Sequence, residues 1–369
     1  MKKLSLATKI LRNWIAYKTN LMTPVPIGYV ILGITFQCNA KCSMCNIHKF
    51  HKSKAVKDEL LVDQLFDKFK ESSILRRISM VDITGGEPFL KEGCKTLISE
   101  LFSLPNIELV SINTNGFLSD RIEDAVTDII GKLPKGKKFV LSVSIDGVGQ
   151  LHDEIRGING AFRSVEKTIL KLKTIRERFP RFAIRSNAVI QKKNINHLEE
   201  IKKFWVANGI SGTFSVIQQP FYTHSRSSIY NDMRRFDKTE IDIIKEIGPK
   251  STGMNYYLTH NFVRPLHCFA GYTSVFIDPF GTVYPCNFLC ENPEYIMGSL
   301  RHYSIDEVWT STQAQHIRGK VKRCPFTNCW NGCEVDQTMI QFYPLNRIVK
   351  ILTLGYHDFY KLKGLKGFD

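Results

Sequence analysis

Between residues 30 and 217, six runs of β-type residues alternate with five amphipathic helical patterns, and this alternation restricts the chain to a small set of folds. The strand-like runs are 30–35, 80–84, 109–113, 140–145, 183–190 and 213–217; the helical patterns lie near 62–76, 91–103, 119–132, 164–177 and 195–207. Strands separated by helices cannot pair as hairpins, so they form a parallel sheet covered by those helices. Six units fall short of an eight-stranded barrel. The expectation is an α/β fold, a partial (β/α)6 TIM-like barrel spanning 28–240. Ligands of such sheets bind at the C-terminal ends of the strands, and the chemically loaded residues of this chain fall there.

The flanks read differently. Residues 1–27 form a basic amphipathic helix, with Leu4, Ala7, Ile10, Leu11, Trp14 and Ile15 at helical spacing before Pro24 and Pro26. After about 265, the runs 273–277 and 282–284 flank Asp278-Pro279-Phe280-Gly281, a hairpin with turn residues. A helix around 304–319 and a cysteine-rich stretch follow, so 262–337 is expected to be a small cysteine-rich α+β domain. The tail, 338–369, has an amphipathic composition.

No stretch reaches the eighteen or so uncharged apolar residues of a membrane span. Lys9, Arg12 and Lys18 interrupt the N-terminus against a signal peptide. The expected location is therefore cytoplasmic. Disulfides do not persist there, so ten cysteines point to metal or cluster ligation. Cys94 stands alone and reads as a buried thiol. The net charge of +16 is spread along the chain without a nucleic-acid-binding module, so a solvated basic surface is expected and nucleic acid is not. The two basic amphipathic ends raise one further option, peripheral contact with an anionic membrane surface.

Cys38-x3-Cys42-x2-Cys45 directly follows the first strand. Structural zinc takes four ligands, usually from paired two-residue spacings. Three thiolates around one face of a cubane instead leave one iron free to bind a further molecule. The second strand ends in Gly85-Gly86-Glu87-Pro88 and the third in Thr114-Asn115-Gly116. The fourth ends in Ser144-Ile145-Asp146-Gly147, followed by His152 to Gly157.

In this order, each at the end of its strand, these motifs resemble those of the radical S-adenosylmethionine (SAM) superfamily over roughly 28–335. The resemblance implies a [4Fe–4S] cluster on Cys38, Cys42 and Cys45, with SAM chelating its open iron. It also implies that Gly85, Gly86, Glu87 and Pro88 pass close to the SAM amino group, the glycines removing Cβ obstruction. Asn115 belongs to the same contact set, and Ser144 and Asp146 face the ribose hydroxyls. Arg156 is either a charge-assisted fork for the SAM carboxylate or a surface ion pair. Asn187 is either a ribose or carboxylate contact or a structural cap. Where many relatives carry an aromatic residue before the third cysteine this chain has Met44, whose thioether can still pack on adenine.

Cys268 and Cys286, with Gly281 between them, resemble the opening of the SPASM and Twitch auxiliary-cluster domains. Cys324, Cys329 and Cys333 resemble the later part of the SPASM pattern, without its usual preceding Cx2C. With Cys290 these make six thiolates, enough for one fully ligated auxiliary [4Fe–4S] cluster and short of the eight that two require. The expected ligands are Cys268, Cys286, Cys329 and Cys333, with Cys324 as the alternate. Asn287 stands where some relatives carry an acidic base. Cys290 is then a candidate hydrogen-atom donor, or a packing cysteine.

The resemblance implies reductive cleavage of SAM to a 5′-deoxyadenosyl radical that takes a hydrogen atom from a peptide, sugar or other metabolite, for oxidation, epimerisation or rearrangement. An external electron donor such as flavodoxin or ferredoxin is implied. The 27 residues before the first strand are fewer than a built-in leader-recognition domain needs. The competing class is a non-catalytic iron–sulfur or zinc protein serving as a scaffold or nucleic-acid-binding module, which has no use for the motifs around SAM.

Overall fold

The computed structural model describes residues 2–19, 22–24, 29–50, 56–179, 182–217, 236–248, 257–260, 268–324 and 329–330. Six parallel strands form its centre: β1 (Tyr29–Thr35), β2 (Met80–Gly85), β3 (Leu109–Thr114), β4 (Lys138–Ser144), β5 (Phe182–Ile190) and β6 (Ser211–Val216). Helix α1 (Lys2–Thr19) precedes the sheet and a single turn, α2 (Ile47–Phe50), follows the cysteine loop. The covering helices are α3 (Val62–Glu71), α4 (Cys94–Ser103) and α5 (Ser119–Gly131), then α6 (Gln150–Arg156), α7 (Ala161–Arg178) and α8 (Leu198–Ala207).

Alternation along each strand sets the layers. On β5, Phe182, Ile184, Ala188 and Ile190 join the core, as do Val165, Ile169 and Leu172 of α7. Arg185, Asn187 and Val189 take the opposite, half-buried face, which lines the lumen. The strands therefore deliver polar side chains to the inside of an unclosed barrel, as the sequence predicts.

Three features differ from the sequence reading. Helix α6 has no counterpart there: it is seven residues long, framed by Gly149 and Gly157, too short to show periodicity. The helix expected over 304–319 is two, α10 (Ile305–Thr310) and α11 (Thr312–Val321), divided at Ser311, whose hydroxyl accepts from the Ala314 N–H at 3.0 Å and caps the second. They follow α9 (Lys238–Ile247). Finally, the hairpin is continuous with the barrel. Strand β7 (Ser274–Ile277) pairs parallel with β1, and β8 (Thr282–Tyr284) and β9 (Gly298–Ser299) extend the same sheet, in the order β6-β5-β4-β3-β2-β1-β7-β8-β9.

Helix α1 lays its inner face on protein. Ile10, Asn13, Ala16 and Tyr17 are buried, Asn13 Nδ2 donates to the Tyr272 carbonyl at 3.0 Å, and Tyr17 stacks on Phe269 at 4.0 Å. Of the apolar residues read as one face in the sequence, Ile10 is buried while Leu11 is exposed. Among the described residues no helix is long and apolar enough to cross a membrane. Cys333 and the tail 338–369 lie outside the described residues.

Candidate active site

The ends of β1 and β2 meet backbone to backbone. The Gly86 N–H donates to the Thr35 carbonyl at 2.7 Å and the Glu87 N–H to that of Gln37 at 2.8 Å. A Cβ on Gly85 (φ +139°) would stand 2.2 Å from the Thr35 oxygen, and one on Gly86 2.1 Å from the Gln37 oxygen. The missing side chains are thus already required by the chain's own residues 35–37, which launch the cysteine loop. This is a different use from the approach to SAM read in the sequence.

Glu87 is fully buried and holds the corner together. Its carboxylate accepts from the Thr114 hydroxyl (2.8 Å), the Asn115 N–H (2.7 Å) and the Phe89 N–H (3.2 Å). Pro88 is the buried first residue of the short turn that Glu87 caps. Asn115 Nδ2 reaches Asn39 Oδ1 at 2.6 Å, tying β3 to the cysteine loop. Both side chains make these contacts within the protein itself. Glu59, which the sequence does not reveal, buries a carboxylate against the Phe36 N–H (2.7 Å), the Thr35 hydroxyl (3.1 Å) and Lys91 Nζ (3.0 Å). It sits outside any periodic element, so only its contacts identify it.

Cys38, Cys42 and Cys45 are free, half-buried thiols on this loop. The Lys41 N–H donates to the Arg156 carbonyl (2.9 Å) and the Ser43 N–H to that of Ile155 (2.8 Å), so the end of α6 clamps the loop. Gly157 (φ +66°) makes this possible, because a Cβ there would lie 2.5 Å from the Lys41 oxygen. Burial pushes the Cys38 thiol up to about 11 and that of Cys45 up to about 12. A metal centre overrides that preference, since a coordinated thiol is deprotonated outright. Three sulfur donors in a glycine-lined cradle fit an iron–sulfur cluster with one open iron.

Asp146 and Arg156 are brought to each other. Arg156 Nη2 lies 2.5 Å from Asp146 Oδ2, and Nη1 lies 3.5 Å from Cys42 Sγ. Asp146 Oδ1 accepts from the Val189 N–H at 2.7 Å, and its N–H points at His152 Nδ1 at 3.3 Å. Burial, then the Arg156 charge, lowers His152 to about 2, leaving it neutral. Asp146 is fully buried, with Oδ1 on the Val189 N–H and Oδ2 ion-paired to Arg156, which is itself buried and so is no surface ion pair. Removing one member of such a buried pair costs about 3–5 kcal/mol. Ser144 stands opposite Asn187 and Asn187 opposite Thr213, a polar row at the C-terminal rim. Asn187 Nδ2 donates to Ser215 Oγ at 3.0 Å.

Deeper in the lumen, Asp82 accepts hydrogen bonds from the Ser111 hydroxyl and from Asn113 Nδ2 (3.3 Å). An acid within an otherwise apolar strand is the available sequence signal. Burial raises Asp82 to about 6 and Glu87 to about 7, against hydrogen bonds that pull both back. Both folded values exceed the ordinary 3.8 and 4.5. Their contributions to stability are therefore full below about pH 4 and are lost as pH rises through 6 and 7. Thermal midpoints should fall between about pH 4 and 7, the window set by these values, and Glu87→Gln should flatten part of that fall. An identical slope in wild type and variant would show that Glu87 does not titrate there.

In the second cysteine group, Cys268 and Cys286 are buried, and the Tyr295 hydroxyl lies within electrostatic reach of both Cys286 and Cys324. Cys329 is half-buried beside Trp330, which packs on Tyr257 at 4.8 Å. Cys290 is separate. It is fully buried with Ile31, Phe36, Ile47, Phe276 and Tyr284, and the partly buried Cys38 and Cys45 pack against that cluster. Ligand atoms of Cys290, Asp278 and Glu291 lie within 4.8 Å of one another. Cys290 thus shares a packing cluster with the first cysteine loop, its sulfur beside Asp278 and Glu291.

Residues 32–204 match the radical SAM superfamily and 268–334 match an iron–sulfur cluster-binding domain, SPASM. The subtilosin biosynthesis protein AlbA of Bacillus subtilis is 25% identical over 84% of this chain and 67% of its own length. A GTP 3′,8-cyclase of Clostridium perfringens is 33% identical over 27% of this chain, which spans only 30% of that enzyme. Streptococcus suis SuiB bound to its precursor peptide SuiA superposes with a TM-score of 0.60 at 17% identity, covering 83% of this chain and 69% of SuiB. The peptide-bound anSMEcpe, with AdoMet, gives 0.55 at 16% identity, over 88% of this chain and 98% of its own.

Proposed function

Because the chain belongs to the radical SAM superfamily and carries its SPASM domain, with SAM and [4Fe–4S] clusters as cofactors, we propose that it abstracts a hydrogen atom from a peptide substrate. The observation that carries the chemistry is the three-cysteine loop, locked onto the C-terminal ends of β1, β2 and β3 beside the polar row of Ser144, Asn187 and Thr213. The peptide is supported by the relatives: AlbA serves bacteriocin biosynthesis, and SuiB and anSMEcpe hold peptides.

When bound, the cluster and SAM supply a one-electron reductive cleavage that yields methionine and a 5′-deoxyadenosyl radical. Cys38, Cys42 and Cys45 hold the cluster. Ser144 and Asn187 present a hydroxyl and an amide at the rim, suited to the polar groups of SAM. Cys268, Cys286, Cys329 and Cys333 hold one auxiliary cluster, with Cys324 as the alternate. A flavodoxin- or ferredoxin-type carrier brings the electrons. Cys290 returns a hydrogen atom to the substrate carbon and becomes a thiyl radical. One electron from that carrier and one proton from solvent then restore the thiol, which favours epimerisation over net oxidation.

Anaerobic turnover of the reconstituted full chain in D2O with a candidate precursor peptide tests both parts. The expected result is 5′-deoxyadenosine together with one solvent deuterium on the peptide carbon, with that label at least halved in Cys290→Ser. No 5′-deoxyadenosine with any reductant would make the protein a scaffold. Equal label in both proteins would remove Cys290 from the reaction.

A further inference from the structure

Arg156 occupies an unusual position for a residue expected to wait for SAM. It is buried, its two terminal nitrogens are already placed on Asp146 and Cys42, and its own carbonyl holds the Lys41 N–H of the cysteine loop. Its Nε is buried and meets no hydrogen-bond acceptor among the described residues. We propose that Arg156, held by Asp146, is a positioning residue that sets the reduction potential of the cluster on Cys38, Cys42 and Cys45. The proposal rests on the reading of these cysteines as the cluster's ligands.

The argument is electrostatic. A cluster gains one negative charge on reduction, and hydrogen bonds and charge at its sulfurs are what adjust its potential. A guanidinium at Cys42 Sγ stabilises the reduced state more than the oxidised one. The charged or titratable groups facing Arg156 are the three cysteines, Asp146, neutral His152 and, farther off, Glu87. Asp146 opposes the guanidinium charge, so the pair delivers an attenuated cation. The planar fork holds one N–H on the carboxylate and another toward the sulfur in a fixed geometry, which the compact, rotatable ammonium of a lysine does not reproduce. The backbone bonds from Lys41 and Ser43 to Arg156 and Ile155 fix this arrangement independently of any SAM contact.

The test is an EPR-monitored redox titration of the reconstituted full chain without SAM, with SAM affinity measured in parallel. The first-site signal is the one lost in Cys42→Ala. Arg156→Gln should make this couple at least tenfold harder to reduce, about 59 mV more negative by the one-electron conversion. Asp146→Asn should move it the opposite way, by at least threefold, because the guanidinium is then unopposed. If Arg156→Gln fails to hold iron, Arg156→Lys, shifted negative by a smaller amount, and Asp146→Asn decide the question. Potentials within twofold of wild type in these variants, or shifts of the same sign in Asp146→Asn and the Arg156 variants, overturn the proposal. A tenfold loss of SAM affinity at unchanged potential would instead give Arg156 to the SAM carboxylate alone. If Cys42→Ala keeps its iron and its signal, the ligand reading fails, and this proposal with it.

Discussion

Cys42→Ala is expected to abolish 5′-deoxyadenosine formation and to remove the first-site iron while leaving the auxiliary signal in place. In the proposed ligand set Cys42, a free thiol, would be one of three protein thiolates on a cubane with no fourth. Its loss exceeds the roughly 10–100-fold that removal of a supporting contact costs. The fold should survive, since the loop is also held by the Lys41 and Ser43 N–H groups and by Asn115 on Asn39. Cys268 and Cys286 belong to a different packing cluster from Cys38 and Cys45. Iron and sulfide quantitation should fall by about four irons per chain, the content of one cubane. A variant with full iron and normal turnover would show that the three cysteines are not the ligand set.

Gly86→Ala carries the second large effect, this time on the fold beneath the site. Its Cβ would stand 2.1 Å from the Gln37 oxygen, 2.6 Å from that carbonyl carbon and 2.9 Å from the Phe36 oxygen. All three are backbone atoms, so no side chain can swing aside. The end of β1 must move, at a cost of about 3 kcal/mol, the upper range for overpacking. Gln37 precedes Cys38 directly, so the displacement enters the cysteine loop. The expected result is a lowered thermal midpoint together with loss of first-site iron. Gly131→Ala, at the end of α5 with nothing within 4 Å of the new Cβ, is the control and should be neutral or slightly stabilising. Wild-type stability and iron in Gly86→Ala would mean that the backbone contact is not held in solution.

The barrel strands are legible because apolar periodicity is a local property: the observed β1 through β6 begin and end within about two residues of the expected runs. Helix α6 is not, because seven residues between glycines show no period. The parallel pairing of β7 with β1 is also hidden. It joins Tyr29–Leu32 to Ser274–Ile277, and no short-range pattern in either segment names the other.

The class of chemistry is written in the linear order of residues. Three cysteines at close spacing, followed by glycine, asparagine and serine motifs at successive strand ends, carry their meaning in order and separation alone. Which polar groups meet is a matter of packing in three dimensions. Packing sets Arg156 between Asp146 and Cys42, engages Glu87 and the glycine pair with the protein's own backbone, and brings Cys290 into one packing cluster with Cys38 and Cys45. The reason is physical: a buried charge or N–H must find a partner. Which partner it finds is fixed by how helices and strands distant in sequence pack together, not by the residues beside it in the chain.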